Sequence, residues 1–122
     1  MLVSQLEMQV FCDLADQYKE LMDFTAVYIA EAHPLEFKGI NQATSCSERM
    51  QAAADMKANC NMEFPILVDM MDNSVSLKYA AFPERLYVVL DGIVVYTGGS
   101  GPLSYDLSGL REWIKSFVAK CN

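Results

Sequence analysis

Apolar positions along the chain follow two periods, and the switches between them mark out the elements. In "SQLEMQVFCDLADQYKEL" (4–21), Leu6, Val10, Leu14 and Leu21 fall on one face at helical spacing, with Phe11 and Tyr18 beside them. Ser4 and Glu7 stand at capping-box spacing, which predicts a helix opening there. "FTAVYIA" (24–30) and "FPILVD" (64–69) are almost continuously apolar and too short for helices. That is the pattern of parallel strands buried on both faces. "LEFKGINQAT" (35–44) has no period and reads as a loop. "SCSERMQAAADMKAN" (45–59) repeats the capping box with Ser45 and Glu48 and then runs helical. "NSVSLKYAAF" (73–82) predicts a short helix capped by Asn73 and stopped by Pro83.

"RLYVVLDGIVVY" (85–96) carries two β-rich runs around Asp91-Gly92, the pair that favours a tight hairpin turn. "TGGSGP" (97–102) is a loop. "SYDLSGLREWIKSFVAK" (104–120) closes as a helix on Leu107, Leu110, Trp113 or Ile114, and Phe117. The order α-β-α-β-α-β-β-α belongs to the α/β class, in one domain over 1–122. The first helix alone has no strand before it, although a right-handed βαβ unit needs one.

Composition narrows the function classes. The 122 residues are 52% hydrophobic, enough for a core. No apolar run approaches the roughly eighteen residues that cross a membrane, and the start lacks a secretory pattern, so a soluble chain is expected. Nine Lys+Arg against sixteen Asp+Glu give a net charge of −7 without a basic cluster, which disfavours nucleic acid as a partner. Cys12, Cys46, Cys60 and Cys121 are scattered, and the chain's one histidine completes no metal-site pattern. Reduced structural thiols are the expectation. Cys12 falls inside a helix and Cys121 in a tail, while Cys46 and Cys60 flank a helix as candidate redox partners.

That histidine, His33, follows the first strand in "AVYIAEAHP" (26–34), two residues after Glu31. Alternation puts both on one side of an extended chain. A carboxylate beside an imidazole is a proton-handling pair near neutral pH. Two polar residues at the mouth of a strand need no function at all, and Tyr28 fits a core as well as a site.

From residue 24 onward the chain resembles the iodothyronine deiodinases, a thioredoxin-fold family. The resemblance rests on "YIAEAHP" (28–34), "SERMQAAADM" (47–56), "FPERLYVV" (82–89) and "YTGGSGPLSYDLSGLREWI" (96–114), in order. It implies an α/β thioredoxin-like fold with an inserted helix and strand, here 45–69. It also implies reductive removal of iodine from thyroxine-like iodothyronines. The implied nucleophile is a selenocysteine at the end of a first, central strand, with no bound cofactor and a thiol reductant as co-substrate. Tyr28, Glu31 and His33 match the family's catalytic motif positions. Pro83 sits where thioredoxin-like proteins hold a cis proline facing the nucleophile. Arg85, Gly99 and Ser100 fall on substrate-binding positions, although Arg85 also suits a pairing with a local carboxylate. Gly98, Gly99, Gly101 and Pro102 suit a simple turn into the last helix equally well.

Counting back from "YIAEAHP" puts Met1 at or beside the selenocysteine position, so the resemblance implies a chain lacking the first strand and inactive alone. Without that strand, two buried sheet edges stay unpaired, and the expectation is a poorly stable chain that aggregates or swaps strands. Family members usually carry a basic residue where Ser100 stands and a histidine where Ala43 stands. A cationic clamp is not expected from these positions, and another halogenated phenol is the alternative substrate. Homodimers and an N-terminal membrane anchor are common in the family. The alternative functions are a thiol peroxidase or redoxin, and a noncatalytic thioredoxin-like interaction module.

Overall fold

The structure, a computed structural model, describes residues 5–30, 43–82, 84–99, 101 and 106–121. Met1, Ser4, Glu31, His33, Pro83, Ser100 and Pro102 lie outside the described residues. The elements are α1 (Gln5–Tyr18), β1 (Ala26–Tyr28), α2 (Cys46–Asn59), β2 (Ile66–Val68), α3 (Ser74–Lys78), β3 (Tyr87–Leu90), β4 (Ile93–Thr97) and α4 (Leu107–Cys121). Over the described residues this is the expected α-β-α-β-α-β-β-α order. Cys121 is the last residue of α4 rather than part of a tail. Among the described residues no helix is long and apolar enough to cross a membrane.

The strands form two separate pairs. β1 and β2 run parallel, with Ala26 opposite Ile66, Val27 opposite Leu67 and Tyr28 opposite Val68. β3 and β4 run antiparallel around Asp91 and Gly92, whose φ of 52° and 79° place both in the left-handed region that the hairpin turn requires. The register slips between Val88 and Val89, so Val95 on β4 has no opposite residue. Among the described residues no ladder joins one pair to the other.

The split runs through the core. Leu14, Tyr18, Leu86, Leu107, Leu110 and Ile114 form one cluster, joining α1 to α4 and the hairpin. Met8, Ala15, Met62 and Phe64 form a second, joining α1 to Ala26 and Ile66 of the parallel pair. Phe11 and Phe24 pack against both. The Phe11 ring meets Phe24 edge-on at 5.7 Å and Phe64 edge-on at 5.3 Å. Helix α1 therefore splints two half-sheets that share no backbone bond among the described residues.

Neither half is covered on both faces, which corrects the expectation from the continuous apolar runs. Ala26 and Ile66 turn toward the α1 cluster, but Val27 and its partner Leu67 are 36% and 57% exposed. In the hairpin, Val89, Leu90, Ile93, Val94 and Val95 are exposed. The cause is the layer count: the described helices cover one face of each strand pair, so an all-apolar strand leaves its other face open.

Local capping explains where α2 starts. Ser45 Oγ accepts from Glu48 N–H at 3.2 Å, as the capping box predicts. The Glu48 carboxylate reaches past Ser45 to Thr44, accepting from its N–H at 2.7 Å and its hydroxyl at 2.8 Å. Those two bonds, the backbone one first, hold the Glu48 carboxyl below the usual range.

In α4 the sequence left Trp113 and Ile114 as alternatives. Ile114 takes the buried position, and Trp113 stacks on Phe117 at 5.2 Å beside Tyr96.

Candidate active site

The end of β1 is where the expected site residues begin, and a buried polar node fixes it. Tyr28 is the last residue of β1 and only 5% exposed. Its carbonyl accepts from Asp69 N–H at 2.8 Å, just beyond β2. Asp69 is 1% exposed, and both its carboxylate oxygens are used by α3: Val75 N–H donates to Oδ1 at 3.0 Å and Ser76 N–H to Oδ2 at 2.9 Å.

Arg49, 4% exposed on the inner face of α2, donates Nη1 to the carbonyls of Asp69 (3.1 Å) and Met70 (2.8 Å). Four elements thus meet at one aspartate: β1 through its amide, α2 through its carbonyl, α3 through its side chain, and β2 through the chain itself. Burial pushes the Tyr28 phenol above its ordinary range, and the Arg49 guanidinium pulls in the other direction. Tyr28 is held as a neutral phenol beside a buried cation.

The capping of α3 corrects an expectation. Asn73 occupies the cap position, but its φ of 58° is left-handed and its side chain makes no cap bond. Its Oδ1 is buried without a hydrogen-bond partner among the described residues. Asp69 caps the helix instead, helped by Asp72 Oδ1, which accepts from Ser74 N–H at 3.0 Å. The helix ends at Lys78, well before Pro83, because Ala80 takes a φ of 49° and leaves the helical region.

Replacing Asp69 by alanine leaves two partly or fully buried N–H donors unmet, and buried unsatisfied groups cost about 1–3 kcal/mol each. The expected result is a destabilisation of about 2–3 kcal/mol in urea unfolding. Arg49→Met lowers stability by a similar route, through two carbonyls. A change near zero for both variants would remove the node's importance.

Arg85 and Gly99 belong to the other half of the molecule. Arg85 Nε donates to Gly98 O at 2.7 Å and Nη1 to Ala80 O at 3.2 Å, with the guanidinium 5.5 Å from the centre of the Tyr87 ring. Its partners are backbone carbonyls and an aromatic face where a local carboxylate was expected. Tyr87 in turn donates its hydroxyl to Tyr79 O.

The glycine loop packs tightly on residues 84–86. Gly98 N–H donates to Leu86 O at 2.8 Å and Gly101 N–H to Glu84 O at 2.8 Å. A side chain at 101 would collide with the buried Glu84 carboxylate. Gly98 and Gly101 therefore serve chain packing, and Arg85 braces the same loop. Tyr28 is the described member of the expected catalytic trio; Glu31 and His33, like Pro83 and Ser100, fall outside the described residues. Among the described residues no group of three or more His, Cys, Asp or Glu side chains is placed to hold a metal ion.

Comparison with known proteins decides the family. A family model described as iodothyronine deiodinase matches residues 3–118. The chain belongs to the iodothyronine deiodinase family. Among its relatives is a thyroxine 5-deiodinase from Sparus aurata, 41% identical over 117 residues, covering 88% of this chain and 42% of that protein. The thyroxine 5-deiodinase of Gallus gallus is 36% identical, covering 90% of this chain and 45% of its own length. That of Ovis aries is 35% identical, with 90% and 40% covered. The chain thus spans less than half the length of these deiodinases.

Arg49 and Asp69 carry no motif that sequence reading would single out. One signal was available: Arg49 stands four residues before Ala53 and seven before Met56, so a charged residue lies in phase with the inward stripe of α2. A cation there must meet buried acceptors.

Proposed function

We propose that this chain is the C-terminal part of a selenocysteine-dependent catalytic domain. The reaction is reductive removal of iodine from an iodothyronine or a related halogenated phenol. The family membership carries this reading, since the relatives are named for the deiodination of thyroxine. Replacing iodine by hydrogen on an aromatic carbon needs a soft nucleophile for the iodine and a proton for the carbon. The nucleophile is assigned to a selenocysteine on a strand ahead of α1, where a selenolate is ionised at neutral pH. His33 delivers the proton, Glu31 orients it, and Tyr28 closes the apolar side. A thiol reductant takes the iodine off as iodide and is left as a disulfide.

The two half-sheets support a thioredoxin-like fold in which a central strand lies between β1 and β3. Such a strand would pair both inner edges and lie beneath α1, the helix that already packs on both halves. The chain without it is expected to be inactive and marginally stable. A sharp cooperative thermal transition from the monomeric chain would count against that part.

The test is twofold. The gene just upstream of Met1 is expected to carry an in-frame UGA after a strand ending in a Gly-Ser-Cys-like stretch. The full-length selenoprotein, given thyroxine and a dithiol, is expected to release iodide. A cysteine codon at that place, with peroxide consumed and no iodide formed, makes the protein a thiol peroxidase. Neither codon and no turnover leaves an interaction module. A membrane anchor belongs, on this reading, to the upstream part.

A further inference from the structure

The four cysteines, all free, divide by setting. Cys46 and Cys121 are exposed, at the first position of α2 and the last of α4. Cys12 and Cys60 are each half-buried, and both pack against the cluster of Met8, Ala15, Met62 and Phe64. They reach it from different elements. Cys12 lies on α1 between Met8 and Ala15, four residues after the first and three before the second. Cys60 is the C-cap of α2, its N–H donating to Met56 O at 3.0 Å. Asn61 then takes a φ of 52° and turns the chain back toward Met62 and Phe64.

A cleft of about 440 Å³ opens beside Cys12, and the turn after Cys60 forms part of its wall through Asn61, Glu63 and Phe64. Electrostatics agrees with this proximity. Burial raises the Cys12 thiol above its ordinary range, and the charge on Cys60, then that on Asp13, raises it further. The cleft is also lined by Asp13, Asp16, Asp23 and Glu63 with Lys19. That net negative wall admits a small neutral oxidant more readily than an anionic disulfide.

We propose that Cys12 and Cys60 are a redox-active dithiol pair, closed to a disulfide by a hydroperoxide and reopened by a dithiol reductant. One thiol attacks the peroxide; the O–O bond breaks, an alcohol or water leaves, and that sulfur becomes a sulfenic acid. The second thiol attacks the sulfenic sulfur; the S–S bond forms, the S–O bond breaks, and water leaves. Two electrons pass from the sulfurs to the peroxide, and a dithiol returns them by thiol–disulfide exchange. Closure ties α1 covalently to the end of α2. The inference does not rest on the deiodination reading.

The chain of residues 1–122 is reduced, exposed to hydrogen peroxide, alkylated, digested and weighed. The expected product is a monomer in which the peptides holding Cys12 and Cys60 are joined, two hydrogens lighter, while Cys46 and Cys121 stay alkylated. The double variant C46S/C121S is expected to close in the same way, and prior unfolding in concentrated urea to abolish the preference for this pair. Free alkylation of both Cys12 and Cys60 would overturn the proposal. So would their separate oxidation to sulfinic acids, or disulfides formed through Cys46 or Cys121 instead.

Discussion

Replacing Phe11 by alanine lowers the stability of the folded chain by about 3 kcal/mol, the lower end of the range for removing a core phenylalanine, because Phe11 is only half-buried. The size of the loss matters less than its reach. Phe11 packs against both core clusters and meets Phe24 and Phe64 edge-on. No strand ladder among the described residues links the halves, so this ring and Phe24 carry much of their coupling. Two probes separate a splint from a local contact. Trp113, the chain's one tryptophan, reports the α1–α4 cluster by fluorescence, and the alkylation rate of Cys60 under reducing conditions reports the other cluster. Both are expected to shift to lower urea in Phe11→Ala. A shift in one probe alone would show that the halves are held together elsewhere. Whole domains have about 5–15 kcal/mol in hand, so a loss of this size leaves a chain with a divided sheet close to unfolding.

On the proposed function, His33→Gln in the full-length protein is expected to lower kcat on thyroxine by roughly 10² to 10⁴, the ordinary worth of a general acid. Thyroxine binding is expected to change far less, because a proton donor acts in the transition state and not in the ground state. The pH dependence fixes the sign. A general acid works in its protonated form, so on the proposed reading the wild-type rate is expected to fall as pH rises. That limb is expected to vanish in His33→Gln, and Glu31→Gln to move it while retaining more activity. A variant at position 33 that keeps both its rate and its alkaline limb would take the proton-donor role away from this histidine.

The periodic stretches were legible because their information is local. The Asp91-Gly92 turn, the Ser45 cap of α2 and the stripe of α4 each follow from neighbours a few residues apart. The polar node at the end of β1 follows from no such pattern. Asp69 looked like the polar end of an apolar strand, and its use as the cap of α3 depends on how β2 and α3 meet in space. Asn73 was the better cap by position, yet its backbone is left-handed and its side chain makes no cap bond. The strands misled in the other direction. Unbroken apolar runs imply two covered faces, and Val27 and Leu67 have only one. Of the candidate site, Tyr28, Glu31 and His33 stood out through a family motif rather than through periodicity.

The two strand pairs also differ in how far apart their partners lie along the chain, and that sets an order in time. β3 and β4 close across a two-residue turn, an event of about 1–10 μs. β1 and β2 join positions 26 and 66, so their pairing must first close a much longer loop. The parallel pair is thus expected to be the later to form. Tyr28 ends one of its strands, and the stretch carrying Glu31 and His33 leads directly from it. On the proposed reading, the residues assigned to proton handling therefore follow the strand pair that has the longer loop to close.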